Sequence, residues 1–207
     1  MRHASVLDTL LPAAIVSRRT GLRLRYVMKR ELLWDPCLDV VGQRLPNAFV
    51  RRGRGGAAEE IERVCELARD LGPRDGVLLY PEGTRFSAAR RERVLARLAA
   101  SADAKHLERA RALHHVLPPR LGGALALLDA APGVDVAIGA HAGLEPLRTL
   151  ADLWSGALLG RRIELAFWRI PAASIPTGRA DRVEWLYDQW QRVDAWLAVR
   201  HAREARA

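Results

Sequence analysis

Lysine is almost missing from this chain of 207 residues: only Lys29 and Lys105 stand among 33 basic residues, so arginine carries the net charge of +9 at pH 7. Arginine presents a planar fork of donors that pairs with phosphate, which suits anionic lipid, nucleotide or nucleic acid. A genomic base composition that favours Arg and Ala gives the same excess, so charge alone selects no partner. Cysteine is scarce too. Cys37 and Cys65 are too few for a disulfide framework and lack the spacing of a metal site or a C-x-x-C redox pair, and they fit a reducing compartment. No stretch approaches the roughly 18 consecutive apolar residues of a membrane-spanning helix, and no secretory signal pattern opens the chain. The P-loop, the G-x-S-x-G elbow and the dinucleotide fingerprint are absent, which removes the chemistries tied to those motifs.

What is present reads as a folded α/β protein. With 49% hydrophobic and 28% charged residues the composition is that of a globular protein, and the length fits one domain over 1–207. Val6, Leu7, Leu10, Leu11, Ala14 and Ile15 recur at helical spacing between Ser5 and Thr20, with Gly21 as the stop. Leu22, Leu24, Tyr26 and Met28 alternate as a strand, and Ala48 to Arg51 is a second, short one. A helical face of Ile61, Val64, Cys65 and Ala68 ends before Gly72-Pro73, and a buried strand is expected from Gly76 to Tyr80. A basic amphipathic helix follows around Val94, Leu95 and Leu98, then a helix from about Leu121 to Asp129. Strands are expected over Val134–Ile138 and near Ile163 to Trp168. Val183, Leu186, Tyr187, Trp190, Val193 and Leu197 trace one stripe of a long terminal helix. The alternation predicts a layered α/β fold. The biased run Arg51-Arg52-Gly53-Arg54-Gly55-Gly56 reads as a flexible basic loop.

Two constellations carry chemistry. His3 and Asp8 are five positions apart, which on one continuous helix would place them roughly 140° from each other. If His3 lies in a loop and Asp8 in the first turns, the carboxylate accepts the imidazole N–H and leaves the other ring nitrogen as a base. A surface or capping role is the alternative. The second is Pro81-Glu82-Gly83-Thr84-Arg85, at the carboxyl end of the strand from Gly76, where ligands of open α/β sheets bind. Gly83 permits close backbone approach, Thr84 offers a hydroxyl, Arg85 offers a phosphate fork, and Glu82 can hold a guanidinium or a substrate hydroxyl. A surface turn with a Glu–Arg ion pair is the competing reading.

Taken together in order, these blocks resemble the glycerolipid acyltransferases of the lysophosphatidic acid acyltransferase family. The H-x4-D block is His3 to Asp8, and the E-G-T-R block is Glu82 to Arg85 after Pro81. Between them, Gly42 with Phe49-Val50-Arg51-Arg52 looks like the family's glycine and aromatic–aliphatic–arginine block, and Val116-Leu117-Pro118-Pro119-Arg120 resembles its apolar stretch ending in proline. The resemblance runs from His3 to about Ile138. Arg2 stands where the family usually has asparagine.

The resemblance implies a mixed central sheet flanked by helices, of the glycerol-3-phosphate acyltransferase kind. It implies His3 and Asp8 as catalytic base and orienter. Arg51, Arg52, Glu82, Gly83, Thr84 and Arg85 would hold the acceptor phosphate and glycerol, and Pro119 and Arg120 would shape the acyl or donor side. It implies an acyl thioester donor, acyl-CoA or acyl-carrier protein, as co-substrate, with no further cofactor, no metal and no acyl-enzyme. The acceptor would be lysophosphatidic acid, with glycerol 3-phosphate or another lysophospholipid as alternatives. Peripheral contact with an anionic membrane on its cytoplasmic face is expected. A non-catalytic lipid-binding remnant of the fold is the competing class, and nucleic acid is not expected as a partner. Because almost nothing precedes His3 and chain ends fray, the chain is expected to be a shortened form without its N-terminal strand or helices, poorly active and with an open strand edge.

His114, His115 and His141 stand at no metal-ligand interval and read as loop or core histidines. Of the tryptophans on the terminal helix, Trp190 reads as core, and Trp185 or Trp196 as the candidate for a lipid interface.

Overall fold

The computed structural model of the protein describes residues 1–5, 7–9, 11–29, 47–50, 57–101, 104–149 and 151–204. Val6, Leu10, Cys37, Gly42, Arg51, Arg52 and the rest of the Arg-Gly segment lie outside them. In chain order the strands are β1 (Arg23–Lys29), β2 (Ala48–Val50), β3 (Asp75–Leu78), β4 (Val136–Ala142) and β5 (Glu164–Ile170). The helices are α1 (Ala57–Ala68), α2 (Ala88–Ala100), α3 (Ala104–Arg111), α4 (Leu121–Ala130), α5 (Ala151–Trp154) and α6 (Arg179–Glu204). None of the described helices is long and apolar enough to cross a membrane. The chain divides into two compact units that interleave in sequence. One comprises Met1–Asp8, Tyr80–Arg120 and Asp135–Ala207, the other Thr9–Leu79 and Leu121–Val134.

In the unit that begins at Thr9, the single helix expected up to Thr20 is broken into pieces. Pro12 has no N–H to give, and it opens a wide π-turn over Pro12–Ser17 that tightens to an α-turn over Arg18–Thr20. Gly21 stops it with φ 70°, a left-handed cap that a side chain resists. β1 pairs in parallel with β2, from Val27 opposite Ala48, and with β3, from Arg23 opposite Asp75, giving the order β2-β1-β3. Arg25 bonds both the Asp75 carboxylate at 2.9 Å and the carbonyl of Leu67 at 3.1 Å, tying the sheet to the end of α1. α1 buries Val64, Leu67 and Ala68 and packs on α4, where Cys65 Sγ lies 3.6 Å from the carbonyl of Ala126. β3 stops at Leu78, two residues short of expectation.

In the unit that begins at Met1, β4 and β5 form an antiparallel pair from Val136 opposite Ile170 to Ala142 opposite Glu164. The described strands thus pair in both senses, as the mixed α/β reading expected, but in two separate sheets rather than one. β4 runs on to Ala142, beyond the predicted Ile138, because the small residues Gly139, Ala140 and Ala142 carry little hydrophobic signal. α6 packs on β4 and buries all six residues of its stripe, with Trp190 fully enclosed. Trp196 packs edge-on to Trp168, under the guanidinium of Arg200, and is half-buried like Trp185. α6 also buries Asp194, whose Oδ1 accepts the backbone N–H groups of His114, His115 and Val116 at 2.9, 2.6 and 3.2 Å. One carboxylate therefore pins the loop that leads to Pro119. α3, unanticipated from sequence, buries Ala110 alone among residues 105–111 and offers almost no apolar face there.

Candidate active site

His3 lies in the extended stretch before a short 3-10 turn over Leu7–Thr9, and Asp8 sits in that turn. This is the arrangement in which residues five apart can meet, and His3 Nδ1 is 3.1 Å from Asp8 Oδ2. The same oxygen accepts the backbone N–H groups of Ala4 and of Ser5, the latter at 2.8 Å. Asp8 is fully buried. Burial pushes its carboxyl up, but the adjoining His141 and His3 rings and the Ser5 amide outweigh that and hold it well below the usual carboxylate range. An ionised carboxylate is acceptor only, so His3 presents Nδ1–H to it and keeps Nε2 to take a proton. The His3 side chain retains 18% of its accessible surface, while Asp8 has none. The Tyr80 ring lies 4.7 Å from the imidazole, centre to centre, and its hydroxyl donates to the Asp8 carbonyl at 2.6 Å.

His3 is held by its backbone as well. Its N–H donates to Glu82 Oε1 at 2.9 Å, and its carbonyl accepts from the N–H of Phe86 at 2.8 Å. Upstream, the Arg2 N–H donates to the Gly139 carbonyl at 3.0 Å, which sets the opening residues against β4. The second oxygen of Glu82 accepts the N–H of Leu117 at 2.9 Å. Glu82 is 2% exposed and gives both oxygens to backbone amides, so it braces the first and fourth blocks from within. Burial pushes its carboxyl up to about 7, against the opposing Leu117 and His3 amides and the charge of Arg2.

The E-G-T-R and P-P-R blocks meet directly. The Arg120 N–H donates to the Pro81 carbonyl at 2.8 Å. Gly83 has φ 64°, and a Cβ there would stand 2.7 Å from Arg120 Nε, so only glycine lets the guanidinium lie against this turn. Pro119 is buried and Arg120 exposed; Thr84 and Arg85 are half-buried. Arg85 Nη1 donates to the carbonyl of Arg148, and its own carbonyl accepts from Arg90 Nη1 at 2.9 Å. His3, Asp8, Glu82, Gly83, Thr84, Arg85, Pro119 and Arg120 thus share one unit, and Arg51 and Arg52 lie outside the described residues.

Sequence reasoning passed over three residues here. His141, read as an ordinary core histidine, is fully buried with Nε2 3.0 Å from Asp8 Oδ1, at ion-pair distance though not well aligned for a hydrogen bond. Asp8 therefore stands between two histidines. Arg2, in the place of the family's asparagine, is buried and donates through Nη1 to the His141 carbonyl at 2.6 Å and to Glu145 Oε1 at 2.5 Å. Burial opposes ionisation of Glu145, yet the charge and hydrogen bond of Arg2 hold its carboxyl below the ordinary value. His201 Nε2 lies 3.5 Å from the same Glu145 oxygen, and its Nδ1 lies 3.1 Å from His115 Nδ1. Tyr80 is the third. The one available signal was the hydrophobic strand ending at Tyr80; nothing local marks the others. Among the described residues, no group of three or more His, Cys, Asp or Glu is placed to hold a metal ion.

The model of a protein family described as Acyltransferase matches residues 1–130. A mouse (Mus musculus) protein, 1-acyl-sn-glycerol-3-phosphate acyltransferase epsilon, is 26% identical over 121 residues. The match covers 58% of this chain and 32% of the mouse protein, so the chain spans about a third of that relative's length. No solved structure matches significantly.

Proposed function

The chain belongs to the acyltransferase family, and from that premise we propose that it transfers a fatty acyl group from an acyl thioester to a hydroxyl of lysophosphatidic acid or a similar phosphate-bearing glycerolipid. The observation that carries this is the pairing of His3 Nδ1 with a buried, ionised Asp8 at 3.1 Å, which leaves Nε2 as a base beside the E-G-T-R turn. The acceptor hydroxyl gives its proton to His3 Nε2 as its oxygen attacks the thioester carbonyl. The tetrahedral intermediate collapses with cleavage of the C–S bond, and the thiolate leaves as thiol with the proton from the imidazolium. Asp8 keeps the tautomer and stabilises the imidazolium, and Glu82 holds the His3 backbone in place.

Arg85 and Thr84, with Arg52 and Arg51 by resemblance, supply donors for the acceptor phosphate, and Pro119 and Arg120 shape the acyl or donor side. The donor is acyl-CoA or acyl-carrier protein, and the reading calls for no metal or resident cofactor. The acceptor is a membrane lipid, so the reading places the protein peripherally on the cytoplasmic face of an anionic membrane.

Thiol release from acyl-CoA, measured with lysophosphatidic acid, glycerol 3-phosphate, lysophosphatidylcholine and monoacylglycerol in parallel, tests the reading. Release should require a phosphate-bearing acceptor. Equal use of monoacylglycerol removes the phosphate-site assignment, and a folded protein that binds lipid but releases thiol with none of the four acceptors is a non-catalytic lipid-binding form.

A further inference from the structure

The two most exposed large apolar side chains among the described residues belong to one short segment: Trp154, 91% exposed, and Leu159, 85% exposed. Trp154 ends α5, and Leu159 lies in the turn that follows. Left-handed glycines at Gly156 (φ 74°) and Gly160 (φ 71°) fold that turn, and a Cβ at Gly156 would meet Leu159 Cδ1 at 3.1 Å. A single exposed apolar side chain is ordinary, but two this exposed within six residues of one turn offer an apolar contact surface. Exposed arginines bracket them, Arg148 before and Arg161 and Arg162 after, with Arg161 also paired with the exposed Glu204 carboxylate at 2.9 Å. The one acidic residue of the segment, Asp152, is turned to the backbone N–H groups of Arg148 and Thr149, at 2.8 and 2.6 Å. The tip is therefore apolar and its margin basic. An indole and a leucine at the tip with guanidinium groups behind them match the depth profile of a bilayer surface, where Trp sits at the headgroup level and basic groups meet lipid phosphates.

We infer that segment 148–162 docks the protein on an anionic phospholipid bilayer, with Trp154 and Leu159 entering the headgroup–acyl boundary and Arg148, Arg161 and Arg162 lying against the phosphates. The segment is also joined to the candidate active site. Arg85 donates to the carbonyl of Arg148, the first residue of the segment, so the docking turn is hydrogen-bonded to the E-G-T-R turn. Docking itself stands apart from the acyl-transfer reading; its service to the acceptor rests on that reading. Among the described tryptophans the exposed one is Trp154, while Trp185 and Trp196 are half-buried on α6.

The test is flotation of the full chain with vesicles of phosphatidylcholine alone and of phosphatidylcholine mixed with phosphatidylglycerol. Wild type should bind the mixed vesicles and release as salt rises. A Trp154→Ala/Leu159→Ser variant should partition about tenfold or more less strongly, since the boundary rewards buried apolar area, with an unchanged melting temperature because both side chains are exposed. Arg161→Gln/Arg162→Gln should weaken binding to the mixed vesicles by about fivefold per charge and leave binding to phosphatidylcholine little altered. Quenching of tryptophan fluorescence by brominated lipid should fall in Trp154→Ala. Equal flotation of wild type and both variants overturns the inference, as does a wild type that binds no vesicles. A lipid-free dimer that the Trp154→Ala/Leu159→Ser substitutions dissociate makes a second copy the occupant and overturns it too. Thiol release in detergent separates the two readings: vesicle binding without thiol release leaves docking standing and removes the proposed activity.

Discussion

At Asp8 one buried carboxylate serves two histidine rings and two backbone amides, while at Glu82 an equally buried carboxylate serves only amides. The difference in neighbours drives the two groups in opposite directions. Asp8 stays ionised far into acid, whereas Glu82 is lifted from an ordinary value of 4.5 to about 7. Between those two pH values the folded state keeps a proton on Glu82 that the unfolded chain has lost, so stability falls as pH rises from 4.5 to 7. The span corresponds to about 3 kcal/mol. Glu82→Gln should remove that part of the slope while costing about 1–3 kcal/mol at pH 4.5, since an amide nitrogen cannot accept one of the two backbone bonds. Melting temperatures of both proteins across this range decide the point, and identical slopes would mean that Glu82 does not titrate there. Arg85 acts at the same scale. Its proposed bonds to acceptor phosphate are charge-assisted, so Arg85→Ala should raise KM for the phosphorylated acceptor by about tenfold or more and leave KM for acyl-CoA nearly unchanged. An equal rise in both would place Arg85 elsewhere.

α6 does its work through Asp194, nearly three turns from the helix end, which holds three consecutive amides of the loop at His114, His115 and Val116. That loop brings the Leu117 N–H to Glu82, so helix, loop and first block are linked in series. Asp194→Ala should destabilise by about 2–4 kcal/mol, because it strips three amides of a charged acceptor. Asp194→Asn, which keeps Oδ1, should recover much of that loss in a denaturant titration; equal losses would show that charge rather than acceptance matters. Elements of this kind were legible where hydrophobic periodicity was strong. The stripe on α6 and the glycine stop at Gly21 stand where their spacing put them, and so do Val64 and Ala68 on α1, where Leu67 is buried and Ile61 exposed. The first helix was not legible as built, because Pro12 opens a π-turn that apolar spacing does not report. α3 was hidden because its apolar face is nearly empty.

For the molecule as a whole, the local half of the site was readable and the long-range half was not. His3 and Asp8 are close in sequence, and a loop followed by a turn is enough to bring them together. His141 reaches the same carboxylate from β4, and Arg2 reaches Glu145, through tertiary packing that no local pattern encodes. Family membership over residues 1–130 gives the blocks a common purpose, while the packing of Arg2 and His141 belongs to this chain's own structure. The central claim is that His3 Nε2 is the base of an acyl transfer. It is tested most directly by the turnover of His3→Ala with acyl-CoA and lysophosphatidic acid, with folding verified by circular dichroism. The account predicts a folded protein whose rate is lower by about 10²- to 10⁴-fold; a folded His3→Ala protein that turns over at the wild-type rate would contradict it.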